Sequence, residues 1–309
     1  MAEELEIKLS LEPGGLIKAL SWLQAQPEAT KGDKKSLVNS YYDTPDAELN
    51  HQQAALRVRQ AGDRYIQTLK TRGEFVNGAH RREEWEWPLP GPSLSLGLLA
   101  DTPLGDRINL ARLAPVFETN FTRQVVMLDD GEAVIECAVD DGVVIASPHT
   151  KPLHEVEFEL VSGDPSRLLV WAKRLAQTCP VFLNLISKAE QGYHLAGIHK
   201  TGAVVTEHLG ANASEHDDLD RLLQQLSNAW LEQKAVSFEG LDLQLLGTYA
   251  EASGLGQTFS ALLERLANGE APSELLGEPE LGQCQLGLLA NREKQSSGWK
   301  STDSIDNAW

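Results

Sequence analysis

The 309 residues carry a formal net charge of -18, with 41% hydrophobic and 23% charged residues. This composition is typical of a globular protein whose chain is long enough for one large domain or two smaller ones. The excess of acid argues against nucleic acid or an anionic membrane as a partner, and no apolar run approaches the roughly 20 residues of a membrane span. Three separated cysteines and a charged N-terminus predict a cytoplasmic protein without disulfides or a secretory signal.

Predicted strands and a few amphipathic helices alternate over the first part of the chain. A strand in ELEIK and a helix in GGLIKALSWLQAQ precede strand patterns in NSYYDT, ALRVR, YIQTLKT and RREEWEW. Further strands are predicted in RQVVML, AVIECAVDD and HEVEFEL, and a helix in DPSRLLVWAKRLAQT. Helical spacing then dominates, in LDRLLQQLSNAWLEQ and TFSALLERLANG, and a polar tail follows. We therefore expect two units, residues 1–199 and a small acidic helical unit at 200–309.

Charged residues share one face of most predicted strands. In ELEIK, Glu4, Glu6 and Lys8 lie opposite the two apolar residues, because successive side chains of a strand point to opposite faces. The charged faces hold acids in some strands and bases in others. Alternation alone leaves open whether these faces meet solvent or a shared interior. In the second case the apolar outside of the sheet would need helices to cover it.

The ordered motifs resemble those of the CYTH family of triphosphate tunnel enzymes, and the bacterial inorganic triphosphatase branch most of all. The match begins with E-x-E-x-K at Glu4–Lys8 and continues in order through YYDT, LRVR, TLK, R-x-E-x-E, F-x-R, E-x-E-x-E and SKAEQGYHL. The resemblance implies an α+β fold, in which a closed antiparallel eight-stranded β-tunnel is covered by helices and followed by a small C-terminal helical segment. The charged faces would then point into the tunnel.

The same resemblance implies a small-molecule triphosphate substrate, hydrolysis of tripolyphosphate to pyrophosphate and phosphate, and Mg²⁺ or Mn²⁺ as cofactor. Arginine and lysine suit the phosphates, and carboxylates supply the hard oxygen ligands that these ions prefer. The expected substrate-binding residues are Lys8, Arg57, Arg59, Lys70, Arg82, Arg123 and Lys188. The expected metal ligands are Glu4, Glu6, Glu84, Asp140, Glu157 and Glu159. The residues expected to act in catalysis are Glu4, Glu6, Lys8, Lys70, Arg123 and Lys188.

Other functions stay open at this point. The same tunnel would suit a thiamine triphosphatase, a class IV adenylate cyclase, or a catalytically silent sensor of polyphosphate or nucleotide, although the many acids argue against the sensor. One hydroxyl of the Tyr41–Tyr42 pair is a further candidate for contact with phosphate. Longer bacterial relatives carry a basic, His-rich helical module called CHAD. Residues 200–309 are short and acidic instead, so we expect them to serve packing or homodimerisation.

Overall fold

The computed structural model describes residues 2–71, 73–76, 79–104, 108–198 and 217–299. The strands are β1 (Ala2–Ser10), β2 (Ala29–Asp43), β3 (Ala55–Ala61), β4 (Arg64–Lys70), β5 (Glu74–Val76), β6 (Ala79–Leu89), β7 (Ala114–Asp129), β8 (Ala133–Ala146), β9 (His149–Gly163) and β10 (Phe182–Leu183). The helices are α1 (Pro13–Gln24), α2 (Glu48–His51), α3 (Ser166–Ala176), α4 (Lys188–Leu195), α5 (Asp217–Glu232), α6 (Leu243–Ala252), α7 (Gly256–Ala267) and α8 (Pro279–Trp299).

Eight of the strands close into an antiparallel barrel. Their order is β1-β9-β8-β7-β2-β3-β4-β6, and β6 pairs with β1 to complete the circle. The short strands β5 and β10 pair with β6 and β1. The predicted closed eight-stranded sheet is therefore confirmed. Among the described residues, no helix combines the length and the apolar character that crossing a membrane requires.

The outer face of the barrel carries the apolar residues of the alternating strands. Ile7, Val156 and Phe158 are almost fully buried there, in one cluster with Leu16 of α1 and Trp171 of α3. Burial of these side chains under helices removes apolar surface from water, which is the main favourable contribution to folding. This packing turns the opposite, charged faces of the same strands toward the inside of the barrel.

The inner face has a charged half and an apolar half. Along β8 the inward positions change from Glu136 and Asp140 to Val144 and Ala146. The apolar half consists of Leu37, Tyr41, Phe117, Phe121, Val144, Ala146 and Leu153. Helix α4 packs against it through Tyr193 and Leu195. One end of the barrel is therefore filled by α4, a feature that strand alternation does not predict.

The C-terminal helices pack directly on the barrel. Gln285 of α8 accepts a hydrogen bond from the backbone N–H of Leu183 at 2.9 Å and donates one to its carbonyl, also at 2.9 Å. The hydroxyl of Ser227 accepts a hydrogen bond from the backbone N–H of Leu185 at 3.1 Å. Apolar residues of α5 to α8 belong to the same buried cluster as the outer face of the barrel. The helices thus share a core with the barrel.

The expected unit boundary and the expected polar tail are covered only in part by the described residues. The expected boundary between residues 199 and 200 lies outside the described residues, as does most of the expected polar tail. Helix α8 extends to Trp299, so the first part of that tail is helical.

Candidate active site

Paired acids and bases line the part of the charged half formed by β1, β4 and β6. The amine of Lys70 lies 2.7 Å from a carboxylate oxygen of Glu4 and 3.2 Å from one of Glu84. Arg82 donates to Glu6 at 2.5 Å and lies 3.4 Å from Glu4. The side chain of Glu6 is buried, and burial disfavours the charge of Arg82, but Glu6 and Glu4 outweigh that effect and raise its pKa. These pairs place carboxylates and bases in direct contact on the inner face of the barrel.

A second network joins β7, β8, β9 and α4. Arg123 donates two hydrogen bonds to Asp140, at 2.8 and 2.7 Å, and one to Glu157 at 2.6 Å. Lys188, at the start of α4, lies 2.5 Å from Glu157, 2.9 Å from Asp140 and 2.8 Å from Glu155. Although burial raises the pKa of Glu157, the nearby Lys188 and Arg123 hold it well below its usual range.

The two arginines of β3 contact carboxylates less closely than the bases of the two groups above do. Burial lowers the pKa of Arg57, but Tyr41 and Glu84 more than offset this and raise it. Arg59 donates to the side-chain oxygen of Asn39 at 2.7 Å, and among the described residues no carboxylate lies within 4.0 Å of its guanidinium. Burial and repulsion from Arg57 and Arg123 lower the pKa of Arg59 to about 9. The Nε of Arg57 is buried without a hydrogen-bond partner, and its nearest carboxylate, Glu84, is 3.8 Å away. Such donors fit an anionic ligand.

Tyr41 lies beside these two arginines. Its ring stacks on Phe117 at 4.6 Å between ring centroids, and its side chain is almost fully buried. Burial raises the pKa of Tyr41, but the cations Arg57, Arg59 and Lys188 more than offset this and lower it overall. Tyr42, the next residue, packs on the outer apolar cluster. Of the two tyrosines, Tyr41 is therefore the one that faces the interior.

Glu159 marks an excess of negative charge at another place in the charged half. It lies opposite Glu6 in the pairing of β1 with β9 and opposite Glu136 in the pairing of β8 with β9. Burial and repulsion from Glu4 and Glu6 raise the pKa of Glu159 to about 7. A site where carboxylates repel one another in this way fits a divalent cation, since a cation would remove the repulsion.

The oxygen donors are not arranged as a finished metal centre. Among the residues that the structure describes, no group of three or more His, Cys, Asp or Glu side chains is placed to hold a metal ion. Asp140 and Glu157 are engaged by Arg123 and Lys188, and Glu84 by Lys70. The chemistry of the predicted ligands suits Mg²⁺ or Mn²⁺, and the assignment of ligands stays a prediction.

Every predicted site residue lies on the inner face or on α4, and most of them contact one another. Lys8 is also buried, and its amine donates to the backbone carbonyl of Ile186, just before α4. Two residues that were not predicted as site residues also make hydrogen bonds inside the barrel. Asn39 accepts a hydrogen bond from Arg59, and Gln191 donates one to Glu155 at 2.8 Å. Gln191 follows Lys188 by three positions, so helical spacing would place it on the same face. For Asn39 the sequence gives no comparable signal.

Comparison with known proteins gives a family match and a relative that is aligned over about half of its length. The model of the CYTH domain matches residues 2–193. An inorganic triphosphatase of Haemophilus influenzae is 34% identical over 200 residues, which are 63% of this chain. The aligned part is 55% of that relative, so the chain spans about half of its length.

Solved structures with a similar course of the chain share little sequence. A Hippeastrum protein, described as an adenylyl cyclase candidate with a dominant triphosphatase activity, has a TM-score of 0.48 and 20% identity, and covers 62% of this chain and 95% of its own. The Mimivirus capping enzyme triphosphatase has a TM-score of 0.35 and 11% identity, and covers 57% and 88%. These scores are too low to carry an argument, and the fold stands on the strand pairing of the chain itself.

Proposed function

This chain belongs to the CYTH domain family, and from that membership we propose that it hydrolyses inorganic tripolyphosphate to pyrophosphate and phosphate with the help of Mg²⁺ or Mn²⁺. The observation that carries the proposal is Arg59 inside the barrel, whose guanidinium is held by an amide and whose pKa is lowered, beside Arg57, whose Nε has no hydrogen-bond partner. A guanidinium withdrawn from water is stabilised by hydrogen-bond acceptors and by opposite charge, and these donors lie on the inner face of the barrel beside further cations. The named relative supports inorganic tripolyphosphate as the substrate.

The bases of the charged half would bind the phosphates. A tripolyphosphate carries several negative charges, and charge-assisted hydrogen bonds from arginine forks are the strongest that a side chain offers to such a group. Arg59 would bind it without first leaving a carboxylate, and Arg57 would leave only its 3.8 Å contact with Glu84. Arg123 and Lys188 would exchange part of their contact with Glu157 for phosphate oxygens, and Lys8, Lys70 and Arg82 would add charge along the wall.

The carboxylates have two roles in this proposal. They keep the buried bases protonated before substrate enters, as the raised pKa of Arg123 illustrates: burial lowers it, but Asp140 and Glu157 prevail. Glu4, Glu6 and Glu159, with Glu84, Asp140 and Glu157, would also hold the divalent ion. When bound, such an ion would supply positive charge that offsets the negative charge developing during phosphoryl transfer.

The reaction itself would need little covalent chemistry from the protein. Water would attack the terminal phosphorus in line with the bridging oxygen, the P–O bond of the anhydride would break, pyrophosphate would leave, and the proton lost by the water would pass to solvent. The fixed cations stabilise the negative charge on the transferred group and on the leaving oxygen, and they do so in a site that excludes most bulk water. Binding and positioning by these side chains would thus account for most of the catalysis.

A product assay with matched variants tests the proposal. The purified protein is incubated with Mg²⁺ or Mn²⁺ and, in parallel, with tripolyphosphate, thiamine triphosphate or ATP, and the products are identified by phosphorus NMR and chromatography. We expect orthophosphate and pyrophosphate from tripolyphosphate. Arg59→Gln should lose most of the activity, whereas Arg64→Gln, at the exposed hairpin end of β4, should keep it.

The other outcomes each identify a different function. Preferred release of phosphate from thiamine triphosphate would indicate a thiamine triphosphatase, and cyclic AMP from ATP a cyclase. Tight binding without turnover would indicate a sensor. Each of these results would contradict the proposal.

A further inference from the structure

The carboxylate of Asp43 lies at the end of β2 and is held by the backbone of the following turn. One oxygen accepts hydrogen bonds from the N–H groups of Thr44 and Leu49, at 2.7 and 2.9 Å, and the other accepts one from Asn50 at 3.0 Å. The residue is 1% exposed. Because three backbone donors fix both oxygens, Asp43 offers an acceptor of defined position inside the molecule.

Tyr193, in the last turn of α4, donates its hydroxyl to that acceptor. The distance from its Oη to Oδ2 of Asp43 is 2.8 Å, across 150 residues of chain. Its ring packs edge-on against Phe117, with ring centroids 5.0 Å apart. A Cβ on the neighbouring Gly192 would come within 2.1 Å of the Phe117 ring, so a larger residue there would displace the helix. The C-terminal end of α4 is therefore fixed by one hydrogen bond and close aromatic packing.

The opposite end of the same helix holds Lys188. A capping box of Ser187 and Glu190 starts the helix: the Ser187 hydroxyl accepts from the Glu190 N–H, and the Glu190 carboxylate accepts from the Ser187 N–H. Helix α4 has 8 residues, so it spans about 12 Å and moves as one body. Any rotation at Tyr193 would therefore move the amine of Lys188 relative to Glu157.

We propose that Tyr193 is a positioning residue, which through its hydrogen bond to Asp43 orients α4 and thereby holds Lys188 at the phosphate site; this inference rests on the proposed function. A phenylalanine would fill the same apolar space beside Phe117. The tyrosine hydroxyl adds a directional hydrogen bond to Asp43. A buried hydroxyl without a partner costs free energy, so this bond favours the helix orientation in which it forms. The position of the hydroxyl opposite the helix start makes it suited to orientation of the helix as well as to packing.

The variant Tyr193→Phe tests the inference, because it removes the hydroxyl and keeps the ring. We expect KM for tripolyphosphate to rise about tenfold, with a smaller change in kcat. This factor corresponds to the free energy of one buried hydrogen bond to a charged group, here the bond to Asp43 that holds α4 in place. Gly192→Ala, which displaces α4 through a different contact, should show the same pattern. Tyr65→Phe, on the outer face of β4, serves as the matched control and should behave as the wild type.

A second measurement does not depend on activity. The rate at which acetic anhydride modifies Lys188 is followed by mass spectrometry, with Lys70 of the same protein as internal reference. In the wild type Lys188 is buried among carboxylates and should react slowly. In Tyr193→Phe and Gly192→Ala it should react several times faster, while the rate of Lys70 stays the same.

The results separate this inference from the proposed function. If the wild type hydrolyses no triphosphate, the proposed function fails, and the labelling of Lys188 still decides whether Tyr193 positions it. A Tyr193→Phe protein that melts earlier but keeps both KM and the labelling rate would overturn the inference in favour of packing alone. A raised KM with unchanged labelling would also overturn it, because the hydroxyl would then act without moving Lys188.

Discussion

Glu157 connects the buried Lys188 with the half-buried Arg123, and its replacement by glutamine removes one carboxylate from both cations. The variant Glu157→Gln keeps the shape of the side chain and removes its charge. Arg123, at 2.6 Å, and Lys188, at 2.5 Å, then lose one of their carboxylate partners. Both cations keep Asp140, at 2.7 and 2.9 Å, so neither is left wholly uncompensated.

The expected loss follows from these contacts. Breaking a buried ion pair on one side costs 3–5 kcal/mol, and the remaining contact with Asp140 places Glu157→Gln near the lower end, at about 3 kcal/mol. For a domain of this size, 1 kcal/mol corresponds to roughly 2–4 °C, so the melting temperature should fall by about 6–12 °C. Scanning calorimetry or circular dichroism measures the shift. Glu83→Gln, at an exposed position on β6, is the control and should melt as the wild type does.

Tripolyphosphate should reverse part of this loss. In the presence of a chelator, which prevents turnover, the anion takes the place of the missing carboxylate beside Arg123 and Lys188. Added tripolyphosphate should therefore raise the melting temperature of Glu157→Gln by more than that of the wild type. If Glu157→Gln melts with the Glu83→Gln control, or gains no more from the anion than the wild type, the network does not compensate these cations as described.

Three further predictions follow from the same geometry. Glu4→Gln and Glu6→Gln should each lower kcat/KM for tripolyphosphate about 100-fold while the circular dichroism spectrum is unchanged. Each variant would weaken binding of the divalent ion, on which several kcal/mol of charge stabilisation depend. Wild-type rates in both variants would remove Glu4 and Glu6 from the metal site. The pKa of Glu159 is raised to about 7 in the native state, against 4.5 in the unfolded chain. Between these two pH values the native state therefore binds one proton more than the unfolded state does. In EDTA, the free energy of unfolding should thus fall as pH rises through this window, by at most about 1.4 kcal/mol per pH unit. Glu159→Gln should lack that decline, and equal pH slopes in both proteins would contradict the assignment. Gln285→Ala should destabilise the protein by about 2 kcal/mol through loss of two buried hydrogen bonds to Leu183. Urea unfolding measures this loss against the exposed control Gln24→Ala; equal stability of the two variants would show that α8 does not depend on this contact.

Strand alternation predicts most of the barrel but not its inside. In β1 the separation of Glu4, Glu6 and Lys8 from Ile7 follows directly from the period of two along a strand. The direction of the charged face depends on closure between β1 and β6 and on helices that cover Ile7, which are long-range contacts. A local pattern carries no information on these contacts, and only the ordered family motifs favoured the inward orientation.

The individual partners inside the barrel also lie beyond sequence reasoning. The motifs bring Arg59 and Arg123 into the site, yet one is held by an amide and the other by two carboxylates, and only the register between neighbouring strands decides this. The filling of one end by α4 likewise follows from tertiary packing: Tyr193 meets Phe117 and Asp43 across distant parts of the chain. Residues with no periodic signal, such as Asn39, become visible only when the strands are in place.

Titration calorimetry with tripolyphosphate tests the central claim most directly, namely that the inward arginines form a built anion site. In chelator, the wild type should bind one tripolyphosphate per chain, and Arg64→Gln should bind it equally well. Arg59→Gln should bind it about 10- to 100-fold more weakly, the effect of one or two charge-assisted hydrogen bonds. Absence of binding to the wild type, or equal weakening by Arg59→Gln and Arg64→Gln, would show that the anion does not bind inside the barrel.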